Sequence, residues 1–317
     1  MMPLLKSPVI PYLLNRPLSP FEKQAHLPQK QRSPAPPWFQ LSVIKMNSTF
    51  LECPDGYFLE KGFVGLFGLI FVGMSGFAGL AFPIVTIMKW STYPPDERFE
   101  SLLFALFAFA IGSFFFWGFL NFLKKEILRY THYPVRFNRK TRKVHCFRDD
   151  GTVMTEDWDK LFFCTIPMLR SWGVYFHRLA EDGETVLDTF GLPYVTGKND
   201  EFLTSQWEFV RHFMEEGPAE LVGQVDIVMD IADRRETFWN GFQRLMAPSG
   251  SGIVALIFAP LGFLFAISRR FAMLTCIVPV WPAEIEAECQ IEPNDPYIRD
   301  RNHLAPFGSV PYPDGRR

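Results

Sequence analysis

Two long uncharged runs, Gly62–Met88 and Ser101–Leu123, dominate the pattern of hydrophobic and polar positions. Charge brackets each of them: Lys61 and Lys89 around the first, Glu100 and Lys124 around the second. At 1.5 Å per helical residue, about 20 apolar residues cross a ~30 Å hydrocarbon core, so both runs predict transmembrane helices. The first holds fourteen Leu, Ile, Val or Phe residues. Each favours the bilayer centre by roughly 0.3–0.6 kcal/mol. Neither run has the polar stripe of a helix in a soluble core. Pro94 and Pro95 break the linker Trp90–Phe99, and the pair reads as a hairpin.

Small residues mark where these helices pack. Gly62, Gly65, Gly68, Gly73, Gly76 and Gly79 project within roughly 140° of arc at helical spacing. Ala105, Ala108 and Gly112 share a face of the second helix. Small residues let membrane-embedded backbones approach, either within the hairpin or against the helix of a second copy or partner.

Lys124, Lys125, Arg129, Arg136, Arg139, Lys140, Arg142, Lys143 and Arg148 follow the second run, while the linker offers Arg98 and, at its edge, Lys89. This asymmetry predicts cytoplasmic N-terminal and 124–250 segments, with 90–100 on the far side, periplasmic in a bacterium.

Downstream the period changes. Short β-rich runs fall near Tyr133–Asn138, Lys143–Arg148, Thr152–Thr155, Leu161–Ile166, Gly173–Leu179 and Thr185–Phe190, with Asp150-Gly151 and Asp182-Gly183 as hairpin turns. Leu203, Trp207, Val210 and Met214 then recur on one helical face across about 200–216. Asn199 or Asp200 is placed to cap that helix, and Gly217-Pro218 ends it. Six strands closed by a helix resemble a pleckstrin-homology-like domain in architecture, without a specific motif.

Residues 219–250 read as helical and interfacial, with Phe238, Trp239, Phe242, Leu245 and Met246 as an apolar stripe. Gly252–Ile267 is a shorter apolar run containing Pro260 and stopping at Arg269-Arg270. It reads as a third membrane-associated segment. If it spans, the tail lies outside; if it is re-entrant or on the surface, the tail stays inside.

The predicted organisation is therefore an α+β membrane protein. A Pro-rich arm (1–45), with nine prolines and no period, is expected to be disordered. The transmembrane hairpin (46–129), the β-rich domain (130–217), the amphipathic helix with third apolar segment (218–281) and an acidic, then Pro-rich, surface tail (282–317) follow. Met46 opens the regular part and is a candidate start codon.

Composition adds little that is chemical. A net charge of −2 gives no global attraction to nucleic acid, and no aromatics interleave with the basic cluster for base stacking. Cys53, Cys146, Cys164, Cys276 and Cys289 show no paired spacing, and the histidines form no HExxH. The pattern calls for no metal and no cofactor. Gly73-Met74-Ser75-Gly76 lacks the Gly-x-Ser-x-Gly spacing of a nucleophile elbow, and Pro248-Ser249-Gly250-Ser251-Gly252 lacks the Lys of a P-loop. Asp149, Asp150, Glu156, Asp157 and Asp159 read as solvated turn acids. No enzyme emerges. Arg139, Lys140, Arg142 and Lys143 are the candidate binding residues, for anionic lipid headgroups or a partner near the membrane.

Taken together, the hairpin, the basic β-rich domain, the late apolar segment and Val280-Trp281-Pro282-Ala283-Glu284-Ile285 ahead of Cys289 resemble an uncharacterised family of Gram-negative inner-membrane proteins. The resemblance covers about residues 46–300. Members are often encoded near type VI secretion or polymorphic-toxin genes, and no functional residues are defined for carrying over. It implies a non-enzymatic inner-membrane protein acting by binding, as an immunity or accessory factor for a toxin or secretion component. The alternative is a membrane-tethered scaffold whose β-domain binds lipid or a cytosolic partner, with self-association as a further possibility.

Overall fold

The computed structural model describes residues 13–303 except 125, 168–170, 194, 197–199 and 247–251. Expectations for residues 1–12 of the arm, Lys125, the Asn199 cap, the Pro248–Ser251 run and the Pro-rich end from 304 lie outside the described residues.

Both apolar runs are helical. The helix α3 (Phe63–Met88) and the helix α4 (Arg98–Leu123) form the predicted hairpin, preceded by two short helices, α1 (Pro20–Gln24) and α2 (Tyr57–Glu60). Both are long and apolar enough to cross a membrane. Their aromatic and aliphatic side chains point outward, with Phe77 76% and Phe114 75% exposed. That is the surface expected of a helix solvated by lipid rather than water.

The β-rich region is two antiparallel sheets. Strands β2 (Lys45–Met46), β3 (Phe50–Cys53), β4 (Val135–Asn138), β5 (Lys143–Phe147) and β6 (Val153–Asp157) pair in that order. In the second sheet, β1 (Arg16–Pro17), β9 (Thr185–Gly191), β8 (Ser171–Leu179) and β10 (Val195–Thr196) run in that order, and β7 (Leu161–Pro167) also pairs with β8. The helix α5 (Asp200–Glu215) closes the core as its apolar period predicts. Phe137, Val144, Phe163, Phe176, Trp158 and Trp207 join both sheets and α5 in one cluster. The six predicted strands thus exist, but three earlier strands extend the sheets.

Those extra strands correct the disordered arm. Phe39 and Val43 are fully buried, and Ile44 is nearly so. The helix α1 carries a complete capping box, Ser19 accepting from the Glu22 N–H while the Glu22 carboxylate accepts from the Ser19 N–H. Prolines here sit where no strand or helix donor is needed: Pro17 on the edge strand β1 and Pro20 in the first turn of α1. A chain starting at Met46 would lack this layer of the core.

Residues 219–237 are not helical. Val225, Val228, Met229 and Ile231 are buried, and the Met229 N–H donates to the Val43 carbonyl at 2.7 Å. Only the helix α6 (Phe238–Met246) realises the predicted stripe. The third apolar segment is one continuous helix, α7 (Ile253–Thr275), running through Pro260 and both arginines. By length and composition it is also able to cross a membrane.

The tail is no loose extension. Ile277 exchanges backbone hydrogen bonds with Arg129 and Thr131, and Arg299 with Met46. The helix α8 (Ala283–Glu288) covers the outer face of the first sheet, which explains why every residue of β4 is buried.

Candidate functional site

A cluster of buried polar groups lies where α3, α4 and α7 meet the body. Gly62 caps α3 at φ 98°, a conformation glycine adopts without strain. A side chain there would also strike Arg269, whose Cα lies 2.5 Å from the place a Cβ would occupy. The Gly62 N–H donates to Glu126 Oε1 at 2.6 Å, so a carboxylate sits at the positive end of α3. The Gly62 carbonyl accepts from Ser268 Oγ at 2.7 Å. One glycine thereby ties the ends of three helices together.

Arg269 carries the second half of the joint. It is 2% exposed; its Nε donates to Glu236 at 2.5 Å, and a terminal nitrogen donates to the carbonyls of Phe58 and Lys61, both at 2.9 Å. The guanidinium also lies 4.6 Å from the Phe58 ring centroid. Arg270 donates to the Glu236 backbone carbonyl at 2.6 Å.

Around these groups Lys61 donates to the Tyr130 carbonyl and lies over the Tyr57 ring, while the Cys276 thiol donates to the Glu126 carbonyl at 3.3 Å. Burial pushes Lys61 down and Glu126 up; the Gly62 N–H and nearby Lys61 oppose the shift of Glu126. Burial also lowers His132 to about 3, helped by the Lys61 charge. Glu126 Oε2, His132 Nε2 and the Tyr57 hydroxyl are buried without a hydrogen-bond partner. The site's chemistry is that of a joint: charges are matched across helix ends, and Lys61 also hydrogen-bonds the Cys276 side chain.

The four candidate basic residues do share one turn, between β4 and β5. The charge of three of them is matched inside the fold. Arg142 pairs with Asp159 at 2.7 Å and Glu215 at 2.8 Å, Lys143 with Glu288 at 2.8 Å, and Lys140 with Glu292. The Arg139 guanidinium packs on Gly217, with its Nε buried and lacking a hydrogen-bond partner. Acids of the tail, remote in sequence, account for two of these pairs. Glu286 likewise reaches buried Arg136, which is held by Glu52 and lies under the Trp281 ring.

The small-residue faces meet inside the hairpin. Gly79 and Gly112 cross backbone to backbone; a Cβ on Gly79 would lie 3.1 Å from Gly112 Cα. Gly76 faces Phe116, Gly68 faces Leu123, and Gly65 faces Glu126 and Ser268. Ala105 is buried and Ala108 half-buried. Gly73 turns away, with nothing within 4 Å of its missing Cβ. A groove of about 450 Å³ opens beside the crossing, lined by Ser75, Gly79, Phe109, Gly112 and Phe116 among others.

Among the described residues, one cluster with ligand chemistry escaped sequence inspection. Glu208, His212 and Glu216 sit at four-residue spacing on α5 and beyond its end, with one ligand atom each lying within 4.8 Å of the others. Arg211 donates to both Glu208 oxygens at 2.7 and 2.6 Å and pairs with Glu216, which Arg32 also holds. A cation there would have to displace a guanidinium, so these residues fit a metal poorly.

No curated protein matches the chain, and no solved structure does. Residues 113–293, from the middle of α4 through α8, match the model described as "Family of unknown function (DUF6708)". The match takes in the joint's Glu126, Glu236 and Arg269 and covers more than half of the chain, and the protein belongs to the DUF6708 family.

Proposed function

We propose that the protein is a membrane-anchored, non-enzymatic binding module, its body held at a fixed height and orientation against the bilayer. The observation that carries this reading is the joint. All three long apolar helices end on the body in one buried cluster, where Gly62, Glu126, Glu236 and Arg269 connect them. A body tethered this way presents a defined surface to a partner. The two sheets closed by α5 support a pleckstrin-homology-like body, enlarged by β1 to β3.

The basic segment after α4 supports a cytoplasmic body with the 90–97 linker on the far side of an inner membrane. The narrower role, an immunity or accessory factor of a toxin-secretion system, rests on the family resemblance of the sequence. Headgroup binding at Arg139, Lys140, Arg142 and Lys143 loses support, because acids of the fold already hold three of these side chains.

Native membranes solubilised in mild detergent, followed by affinity capture of the tagged full chain and mass spectrometry, test the proposal. A stoichiometric toxin or secretion component is expected. Recovery of lipid and the protein alone would overturn the binding role.

A further inference from the structure

The helices α6 and α7 pack against each other. Phe238 and Phe242 contact Phe263 edge-on at 5.2 and 6.3 Å, and Met246 closes on Gly262. Both outer ends of this pair are fixed to the body. Glu236, two residues before α6, is locked to Arg269 near the end of α7. Immediately beyond α7, the Cys276 carbonyl accepts from Arg235 at 3.1 Å, and Ile277 is in the backbone ladder with Arg129 and Thr131.

Between these fixed ends the chain has no charged residue from Leu245 to Ser268. The side chains of α7 point away from protein: Ile253 is 76% and Leu256 73% exposed. The part of α7 that lies beyond the Arg269 joint, Ile253 to Ser268, rises about 24 Å, and the nine residues of α6 rise about 14 Å, each short of a ~30 Å core. Arg244, in α6, reaches back to Glu236 rather than outward. Its charge is thereby returned to the body end of the pair.

We infer that α6 and α7 form a re-entrant hairpin that inserts into the leaflet facing the body and returns to the same side. The membrane is therefore crossed twice, by α3 and α4, and the tail lies with the body. The occupant of the exposed face of α7 is lipid hydrocarbon, continuous with that around α3, against which α7 stacks through Phe63 and Phe265. The tail's contacts with Met46, Lys140 and Arg136 require this side.

This inference rests on the membrane reading above, and single cysteines separate the two. The native cysteines are buried, so the full-length wild type provides the unlabelled background. Asp96→Cys in the linker, Glu181→Cys on the body, Glu284→Cys in the tail and Ile253→Cys at the tip of the pair all replace exposed residues. A membrane-impermeant maleimide is applied to sealed vesicles of each orientation. Glu181→Cys and Glu284→Cys are expected to label from one side, Asp96→Cys from the other, and Ile253→Cys from neither until detergent is added. Labelling of Glu284→Cys or Ile253→Cys from the Asp96 side would overturn the re-entrant hairpin. Labelling of Asp96→Cys and Glu181→Cys from one side would overturn the transmembrane reading itself. A disulfide-linked dimer of Leu256→Cys under mild oxidation would overturn lipid as the occupant in favour of a second copy.

Discussion

Arg269 is the residue on which the joint depends most. Its removal leaves the Glu236 carboxylate buried beside a single, longer contact to Arg244 and leaves the Phe58 and Lys61 carbonyls without their donor. Breaking a buried pair costs about 3–5 kcal/mol. Arg269→Ala is expected to lose most of the stability measurable by thermal unfolding in detergent. Arg269→Lys recovers little, since an ammonium lacks the fork that reaches a carboxylate and two carbonyls together. His132 gives the joint a pH dependence. Its ring is neutral in the fold at about 3, against roughly 6.5 when unfolded, so protonation favours the unfolded chain. Its contribution is fully present above pH 6.5 and is lost as pH falls towards the folded value. The wild type is expected to lose roughly 2 kcal/mol more than His132→Phe between pH 7 and pH 5. Denaturant titrations of both proteins at the two pH values measure that difference. None of this was legible residue by residue. Glu236, Arg269 and Glu126 are separated by up to 143 positions, and the Arg269-Arg270 pair in an apolar run reads as a stop signal until its partners are known.

At the scale of elements, the hairpin was legible because a helix able to cross a membrane follows one rule along its whole length: apolar all round, with small residues where backbones touch. The crossing of Gly79 on Gly112 makes the rule testable. Gly79→Leu forces bulk into a backbone contact and is expected to cost about 1–3 kcal/mol. Gly73→Leu, with open space, is expected to leave hairpin stability unchanged, and thermal unfolding in detergent compares the two. The six strands were legible from their period and turns. The strands β1 to β3 were not, since two- to four-residue strands among prolines carry no period, and partners such as Val186 for Arg16 lie far along the chain. The partners of the basic turn were hidden for the same reason: Glu292 and Glu288, which hold Lys140 and Lys143, come 152 and 145 residues later, whereas Arg142 is held by the nearer Asp159 and by Glu215.

Across the whole molecule, the body is assembled from the arm and the tail around the apolar hairpin. The arm supplies Phe39 and Val43 to the core, and the tail covers the first sheet through Trp281 and Glu286. Phe39→Ala is expected to destabilise the body by about 3–5 kcal/mol, and a chain beginning at Met46 to be degraded far faster by protease than the full chain. Limited proteolysis of detergent-purified protein reads both effects. Everything proposed for this architecture depends on α3 and α4 residing in a bilayer. Extraction of native membranes with alkaline carbonate tests that most directly. The full-length chain is predicted to remain with the membrane pellet, and its release into the supernatant would contradict a body anchored by spanning helices.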